Sequence, residues 1–207
     1  MPDSLSLYLK QPVSPGGLAL ALLYLNVLSF GGIMTAYLVW FGINYATIGV
    51  LRGVSSAIGL LGTVAFHFSV RNHRLAATGM WSIAYHFGCL SLCYLSVHVQ
   101  DREISFALLV IGVCASRIGL WVFDLTITQY MQKLIPDEIR GVIGGVQKSL
   151  NGFFELITFI LGLLFSDPKD FWVLIAAGYG SVGIALVLYF FGVFRQENLK
   201  KTIKSNV

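Results

Sequence analysis

The chain has 207 residues, of which 56% are hydrophobic and 12% are charged, with a formal net charge of +4. A soluble domain carries about a quarter charged residues, so this composition and a mean hydropathy of +0.76 exclude an ordinary soluble protein. The small positive charge gives no reason to expect nucleic-acid binding. The composition predicts an all-α integral membrane protein with several crossings.

Six apolar runs follow one another along the chain, and each reaches the roughly 20 residues that a helix needs to cross a bilayer. In chain order they cover residues 16–41, 45–70, 75–97, 105–131, 141–166 and 171–194. Residues 1–15 and 195–207 flank them as predicted cytoplasmic segments, the second a basic tail. Because the connectors are short, we expect neighbours in sequence to be antiparallel neighbours in space.

Lysine and arginine outside the runs collect on one side of the predicted bundle. That side holds Lys10, Arg71, Arg74, Lys133, Arg140, Arg195, Lys200, Lys201 and Lys204. The other side holds Arg102 and Lys169. The positive-inside rule therefore places both termini in the cytoplasm. A plasma membrane and a vacuole-type membrane both fit this pattern, and the basic tail is either solvated or in contact with anionic lipid.

Charged side chains inside two neighbouring runs form polar stripes, although each such charge costs roughly 3 kcal/mol in a bilayer. The run 105–131 presents on one helical face Arg117, Trp121, Asp124 and Thr128. The run 141–166 presents Lys148, Asn151, Glu155 and Thr158, with Gln147 beside them. Matching depths predict two ion pairs, Asp124 with Lys148 and Arg117 with Glu155. These pairs either gate a lined cavity or hold the bundle together.

Two further groups of polar residues inside the runs have simpler interpretations. Arg52 stands alone in the second run, where snorkelling to the interface and a functional role are equally consistent. His86, Cys89 and Cys93 share one helical face without a charged companion. Cysteine in that setting behaves as a small packing residue, so packing is favoured over a soft-metal site.

Five stretches of sequence resemble the ferroportin family (solute carrier family 40). They are RIGLWVFDLTITQ at 117–129, RGVIGGVQKSLN at 140–151, VLSFGGIMTA at 27–36, GTVAF at 62–66 and SDPKDFW at 166–172. The likeness extends from about residue 12 to 194 and is nearer to plant-type than to animal members. It implies a major facilitator fold of two six-helix lobes, of which this chain is the C-terminal one. It also implies alternating access and export of Fe²⁺, with Co²⁺ or Ni²⁺ as related cargo.

The chain departs from the family at positions that matter for metal binding. Animal members have a cysteine and a histidine where this chain has Gly32 and Thr158, which supply neither thiolate nor imidazole. We therefore expect no metal site in this lobe and no cofactor. Glu155 stands where an aspartate is common, as an alternative oxygen ligand or proton-coupled carboxylate. Lys148 replaces a usual asparagine and would repel a divalent metal unless Asp124 neutralised it.

The resulting hypothesis is one lobe of an iron exporter, completed by a missing N-terminal six-helix lobe or by a second copy, and surrounded by lipid. The candidate pathway and gating residues are Arg117, Asp124, Gln147, Lys148, Asn151 and Glu155. A self-contained half-transporter, or a regulatory membrane protein without metal transport of its own, remains an alternative. An intramembrane protease is disfavoured because the nearest nucleophile motif, around Ser55, lacks its final glycine. No enzymatic activity is expected.

Overall fold

The structure, a computed structural model, describes residues 2–197, and that range is helical without a strand. Its helices are α1 Pro2–Leu9, α2 Ser14–Leu23, α3 Gly32–Trp40, α4 Tyr45–Asn72, α5 Leu75–Ser96, α6 Arg102–Leu134, α7 Asp137–Leu164 and α8 Phe171–Tyr189. A short 3₁₀ turn, Pro168–Asp170, precedes α8, and a π-helical turn, Phe190–Phe194, continues it.

Three helical stretches within the described residues are long and apolar enough to cross a membrane, by length and composition. They are Tyr45–Asn72, Arg102–Leu134 and Pro168–Glu197, and Ser14–Leu23 is a shorter apolar helix. The remaining predicted crossings fall on α3, which is short, on α5, and on α7, which carries Lys148 and Glu155. The protein is therefore an all-α membrane protein, and the count of six crossings stays a prediction.

The run 16–41, predicted as one helix, is instead two helices separated by residues 24–31. The physical cause is local competition for the backbone, because the Asn26 side chain accepts a hydrogen bond of 2.9 Å from the Leu28 N–H. Asparagine, serine and glycine all favour such non-helical hydrogen bonding. Here Ser29, Gly31 and Gly32 follow Asn26 within six residues.

Residues 1–15, predicted only as a cytoplasmic segment, contain a helix that packs on the bundle. Tyr8 and Val13 form a small apolar cluster with Ile135 and Ile143, which lie around the start of α7. Val13 is 3% exposed and the other three are 2% exposed or less. This segment is therefore part of the folded lobe.

Helix α6 packs closely against its neighbours on both sides at glycine positions. A Cβ at Gly119 would lie 2.7 Å from the Ser82 carbonyl oxygen of α5, and one at Gly112 would lie 2.6 Å from the Cys93 sulfur. On the other side, a Cβ at Gly62 of α4 would lie 2.9 Å from the Trp121 Cβ. Small residues allow membrane helices to approach this closely, so α6 forms the centre of the lobe.

His86 and the three cysteines occupy the packed seams of α5 and α6. The His86 Nδ1 lies 3.0 Å from the Ser116 carbonyl oxygen, while its Nε2 is buried without a partner. Cys89, Cys93 and Cys114 are buried free thiols. No group of three or more His, Cys, Asp or Glu side chains suited to a metal ion occurs among the described residues.

The end of the described chain continues the helical stretch of α8 and contacts the bundle through Glu197. Tyr130 of α6 donates a hydrogen bond of 2.5 Å to the Glu197 carboxylate, and Arg74 lies 4.0 Å from the same side chain. Most of the predicted basic tail, including Lys200, Lys201 and Lys204, lies outside the described residues.

Candidate functional site

The break between α2 and α3 places unpaired backbone carbonyls inside the bundle, and polar side chains from three helices satisfy them. Arg117 of α6 donates to the Leu28 oxygen at 2.5 Å. Thr158 of α7 donates to the Tyr24 oxygen at 3.2 Å. Ser181 of α8 donates to the Leu25 oxygen at 2.9 Å. Irregular backbone at membrane depth is tolerated only where its polar groups are satisfied in this way or line a cavity.

A cavity of about 270 Å³ opens beside this break. Residues of the break form one wall, and Arg117, Glu155 and Thr158 contribute the polar part of the others. Gly32 also lines it, and a Cβ there would meet nothing within 4 Å. Gly32 and Thr158 thus line one cavity, and together they offer a metal only a hydroxyl.

The two predicted ion pairs do not form. Within the part of the chain that the structure describes, the ion pairs are Arg74–Glu197 and Arg140–Asp137. The Arg117 guanidinium is engaged instead by the Leu28 carbonyl, and its Nε is buried without a partner. The prediction treated the first span as a continuous helix, which would have left no free carbonyl to compete with Glu155.

The polar residues of α7 divide between two faces of that helix. Gln147, Asn151 and Thr158 are buried at 5 to 6% exposure, on the side that contacts α2 and the break. Lys148 and Glu155 are exposed on the adjacent side. The sequence predicted a single polar stripe on this helix. The structure instead has a buried row of amide and hydroxyl side chains and, beside it, an exposed row of charged side chains.

Asp124 lies near the middle of the site without touching Lys148. It lines a small cavity of about 140 Å³ with Tyr24 and Trp121. Lys148 is near enough for its charge to act on the Asp124 carboxylate, although their atoms are more than 4 Å apart. The two charged groups therefore interact electrostatically at a distance and do not form the direct ion pair that was predicted.

Arg52 belongs to a second cavity, of about 460 Å³, between α4, α6 and the break. Its guanidinium donates to the Thr35 hydroxyl of α3 at 3.2 Å. Arg117 also lines this cavity, so the two arginines share it. The contact with Thr35 ties α3 to α4, so Arg52 has a partner within the fold.

Three residues of the site were missed by the reasoning from sequence. Tyr8 donates a hydrogen bond of 2.6 Å to Gln147. Tyr24, at the end of α2, lies close to Asn151 and within the fields of Asp124 and Glu155. Asn26 stabilises the break, because its side chain accepts a hydrogen bond from the Leu28 N–H. The one available signal was the polar Asn26 followed by Ser29 and paired glycines inside an apolar run.

Comparison with known proteins identifies the family of this helical membrane protein. The family model described as Ferroportin1 (FPN1) matches residues 3–182, and the chain belongs to this family. The predicted resemblance is therefore confirmed.

Plant and animal relatives both match. The chain is 42% identical over 188 residues to solute carrier family 40 member 2 of Arabidopsis thaliana, which covers 91% of the chain and 37% of that protein. It is 32% identical over 250 residues to ferroportin of Rattus norvegicus, covering 95% and 44%. The chain thus spans less than half the length of these relatives.

Solved structures of a bacterial homologue of the iron transporter ferroportin share the fold at 27% sequence identity. The outward-facing structure with soaked iron has a TM-score of 0.84 and covers 89% of this chain and 47% of that one. The inward-facing structure has a TM-score of 0.83 and covers 87% and 45%.

Proposed function

We propose that this chain is the C-terminal lobe of a ferroportin-type transporter that exports Fe²⁺ by alternating access. The observation that carries the proposal is the interrupted first span, whose satisfied carbonyls border a polar cavity in an otherwise apolar bundle. In this proposal α2 and α3 make one crossing and α4 to α8 make five more, as one lobe of a major facilitator fold. Both termini lie in the cytoplasm.

The support for a transported metal comes from relatives and from the donor chemistry. The bacterial homologue is named for the iron transporter ferroportin and has been solved in outward-facing and inward-facing states. In this chain the cavity offers the Glu155 carboxylate and the Thr158 hydroxyl. Oxygen donors of this kind suit transient contact with a hard divalent cation.

The arginines argue that this lobe is the moving wall of the pathway and not its main metal-binding site. Arg117 lines the break cavity and also the neighbouring one with Arg52. A positive charge at a few ångströms opposes a divalent cation in a low-dielectric site. We therefore place the principal binding site of the cargo on the facing lobe.

Gating follows from the charges on the open face of the lobe. Asp124 and Lys148 are neighbours without direct contact, and Glu155 shares the cavity of Arg117. In the proposed cycle these charges form and break pairs as the face closes, because packed interfaces switch between discrete arrangements. Reversing both charges, in the double variant Asp124→Lys with Lys148→Asp, should recover transport lost in each single variant. No recovery would remove this pair from the gate.

The test of function uses the full-length protein expressed from its own gene and reconstituted into liposomes with an iron-sensitive dye. Glu155→Gln should lower the initial rate of Fe²⁺ movement about tenfold, a loss of roughly 1.4 kcal/mol. Glu103→Gln is the matched control, because Glu103 is an exposed carboxylate in the first turn of α6, outside the cavities described here. Liposomes that move Fe²⁺, Co²⁺ and Ni²⁺ no faster than protein-free ones would refute the proposal.

The facing wall comes from an N-terminal lobe of the same polypeptide or from a second copy of this one. An immunoblot with an antibody against residues 197–207 distinguishes them by the mass of the endogenous protein. A band near twice 22.7 kDa or more supports a two-lobe polypeptide. A band near 22.7 kDa requires a dimer for transport, and a monomer of that mass would contradict the exporter.

A further inference from the structure

Helix α1 holds one fully buried side chain over the start of α7. Tyr8 is 0% exposed, and its hydroxyl donates to the Gln147 Oε1 across 139 positions of sequence. Burial raises the pKa of the Tyr8 phenol, so it remains a protonated donor. A buried tyrosine hydroxyl needs such a partner, and Gln147 supplies it.

The Gln147 side chain is completely used in this arrangement. Its Oε1 accepts from Tyr8, and its Nε2 donates to the Gly17 oxygen at 3.0 Å and to the Asn151 Oδ1 at 2.7 Å. The fit depends on glycine at position 17, since a Cβ there would overlap both the Tyr8 hydroxyl and the Gln147 oxygen. Tyr8 therefore decides which way the Gln147 amide faces.

This amide begins a chain of contacts that ends at the break. Asn151, which accepts from Gln147, lies close to the Tyr24 side chain. The Tyr24 carbonyl in turn accepts from Thr158 beside the cavity. A hydroxyl on α1 is thus connected through buried side chains of α7 to the interrupted helix.

Helix α1 is short and is held on the bundle by few buried side chains. It has 8 residues, whereas isolated helices shorter than about 12 to 15 residues are marginal in water. Leu5 and Leu9 are about half exposed, so its hold on the bundle comes mainly from Tyr8 and the small cluster around Ile143. Without α1, the Gln147 Oε1 would lose the Tyr8 donor and would need water.

We propose that Tyr8 is a positioning residue of the pathway: it docks α1 on α7 and closes the buried polar row of α7 to water on that side. Opening of the lobe to the predicted cytoplasmic side then includes the undocking of α1. This inference rests on the proposed transport function, but its principal readout, side-chain accessibility, needs no transport.

The test compares two tyrosine variants of the full-length protein in oriented membrane vesicles. Tyr8→Phe removes the hydroxyl and keeps the ring. Tyr189→Phe is the matched control, because Tyr189 is also 0% exposed and donates its hydroxyl at 3.3 Å to the Ala76 backbone. Ile143→Cys serves as reporter in both backgrounds, since Ile143 is 0% exposed beneath α1. An impermeant maleimide applied from the α1 side measures undocking, with the buried native thiols as background.

We expect Tyr8→Phe to raise the labelling rate about fivefold, the factor that corresponds to about 1 kcal/mol for one lost hydrogen bond. Tyr189→Phe should change it less than twofold. Adding Gln147→Leu to Tyr8→Phe should raise the labelling rate by much less than Tyr8→Phe does alone, since the contact with α1 is already lost and the other two hydrogen bonds of Gln147 go to Gly17 and Asn151. Equal labelling in the two tyrosine variants would overturn the proposal, even if the protein transports iron.

Transport kinetics provide a measurement that would stay unchanged if the role of Tyr8 were purely structural. A population shifted toward the state open on the α1 side binds cargo from that side more tightly, so Tyr8→Phe should lower KM there. If Tyr8 only stabilised the fold, Tyr8→Phe would lower the apparent kcat in proportion to the amount of folded protein lost and would leave KM unchanged. That result would also overturn the proposal. Absence of transport in the parent protein, with labelling changed as expected, would refute the proposed function alone.

Discussion

Replacing Arg117 with methionine tests whether this arginine binds a carbonyl or an acid. In the structure its guanidinium donates to the Leu28 oxygen and forms no ion pair. Arg117→Met therefore removes a hydrogen bond from a charged donor, worth about 1.5 to 3 kcal/mol. It also removes the cost of holding a charge at membrane depth, roughly 3 kcal/mol. The two effects oppose one another and are of similar size.

We accordingly expect the free energy of unfolding to change by less than about 1.5 kcal/mol, which corresponds to a Tm shift of about 3 to 6 °C at this chain length. Amide hydrogen exchange should rise locally over residues 24–31, because the Leu28 carbonyl loses its partner and the break is held less firmly. Thermal unfolding in detergent and exchange measured by mass spectrometry check the two expectations.

A hidden ion pair would give a different result. If Arg117 were paired with Glu155, methionine would leave the acid unpaired and cost about 3 to 5 kcal/mol. The double variant Arg117→Met with Glu155→Gln would then recover most of that loss. A large loss of stability that Glu155→Gln reverses would refute the assignment of Arg117 to the Leu28 carbonyl.

Three further substitutions test other parts of the fold. Gly119→Val should destabilise the protein by at least about 1 to 3 kcal/mol by overpacking α6 on α5, whereas Gly88→Val, at a position open to 4 Å, should have little effect on Tm. Asp101→Ala removes the side chain that caps Glu103 and Ile104 at the start of α6, and should cost about 1 kcal/mol; an unchanged Tm would contradict the cap. Thr158→Val should cost about 1 kcal/mol by leaving the Tyr24 carbonyl unsatisfied, with faster exchange confined to the break.

The apolar runs were a sufficient guide to the long helices because length and hydropathy are properties of the sequence itself. Helices α4, α5 and α6 begin and end within three residues of the runs at 45–70, 75–97 and 105–131. The break at 24–31 could not be read in the same way. Asn26 favours the break locally, but its carbonyls are satisfied by Arg117, Thr158 and Ser181, and that arrangement depends on three other helices.

The side chains of α7 show a second limit of pattern reasoning. Helical spacing correctly groups residues by face, but it does not state which face turns toward a neighbour. Docking of α1 and α2 turns Gln147 and Asn151 inward, so Lys148 and Glu155 are left on the open side. The rotation follows from Tyr8, which lies 139 positions away from its partner, and local spacing contains no information about it.

The open side of α7 also restricts what surrounds this lobe in a membrane. Lys148 and Glu155 are exposed there, and together they would cost roughly 6 kcal/mol against hydrocarbon, taking about 3 kcal/mol for each. Phe159, one turn beyond Glu155 on the same face, is an exposed apolar residue, and it gains nothing from water. A face with both properties is stable only against another protein surface that offers water or opposite charge to the two ions and packs on the rest. Glu155 also lines the break cavity, so a surface that covers this face would also cover that side of the cavity.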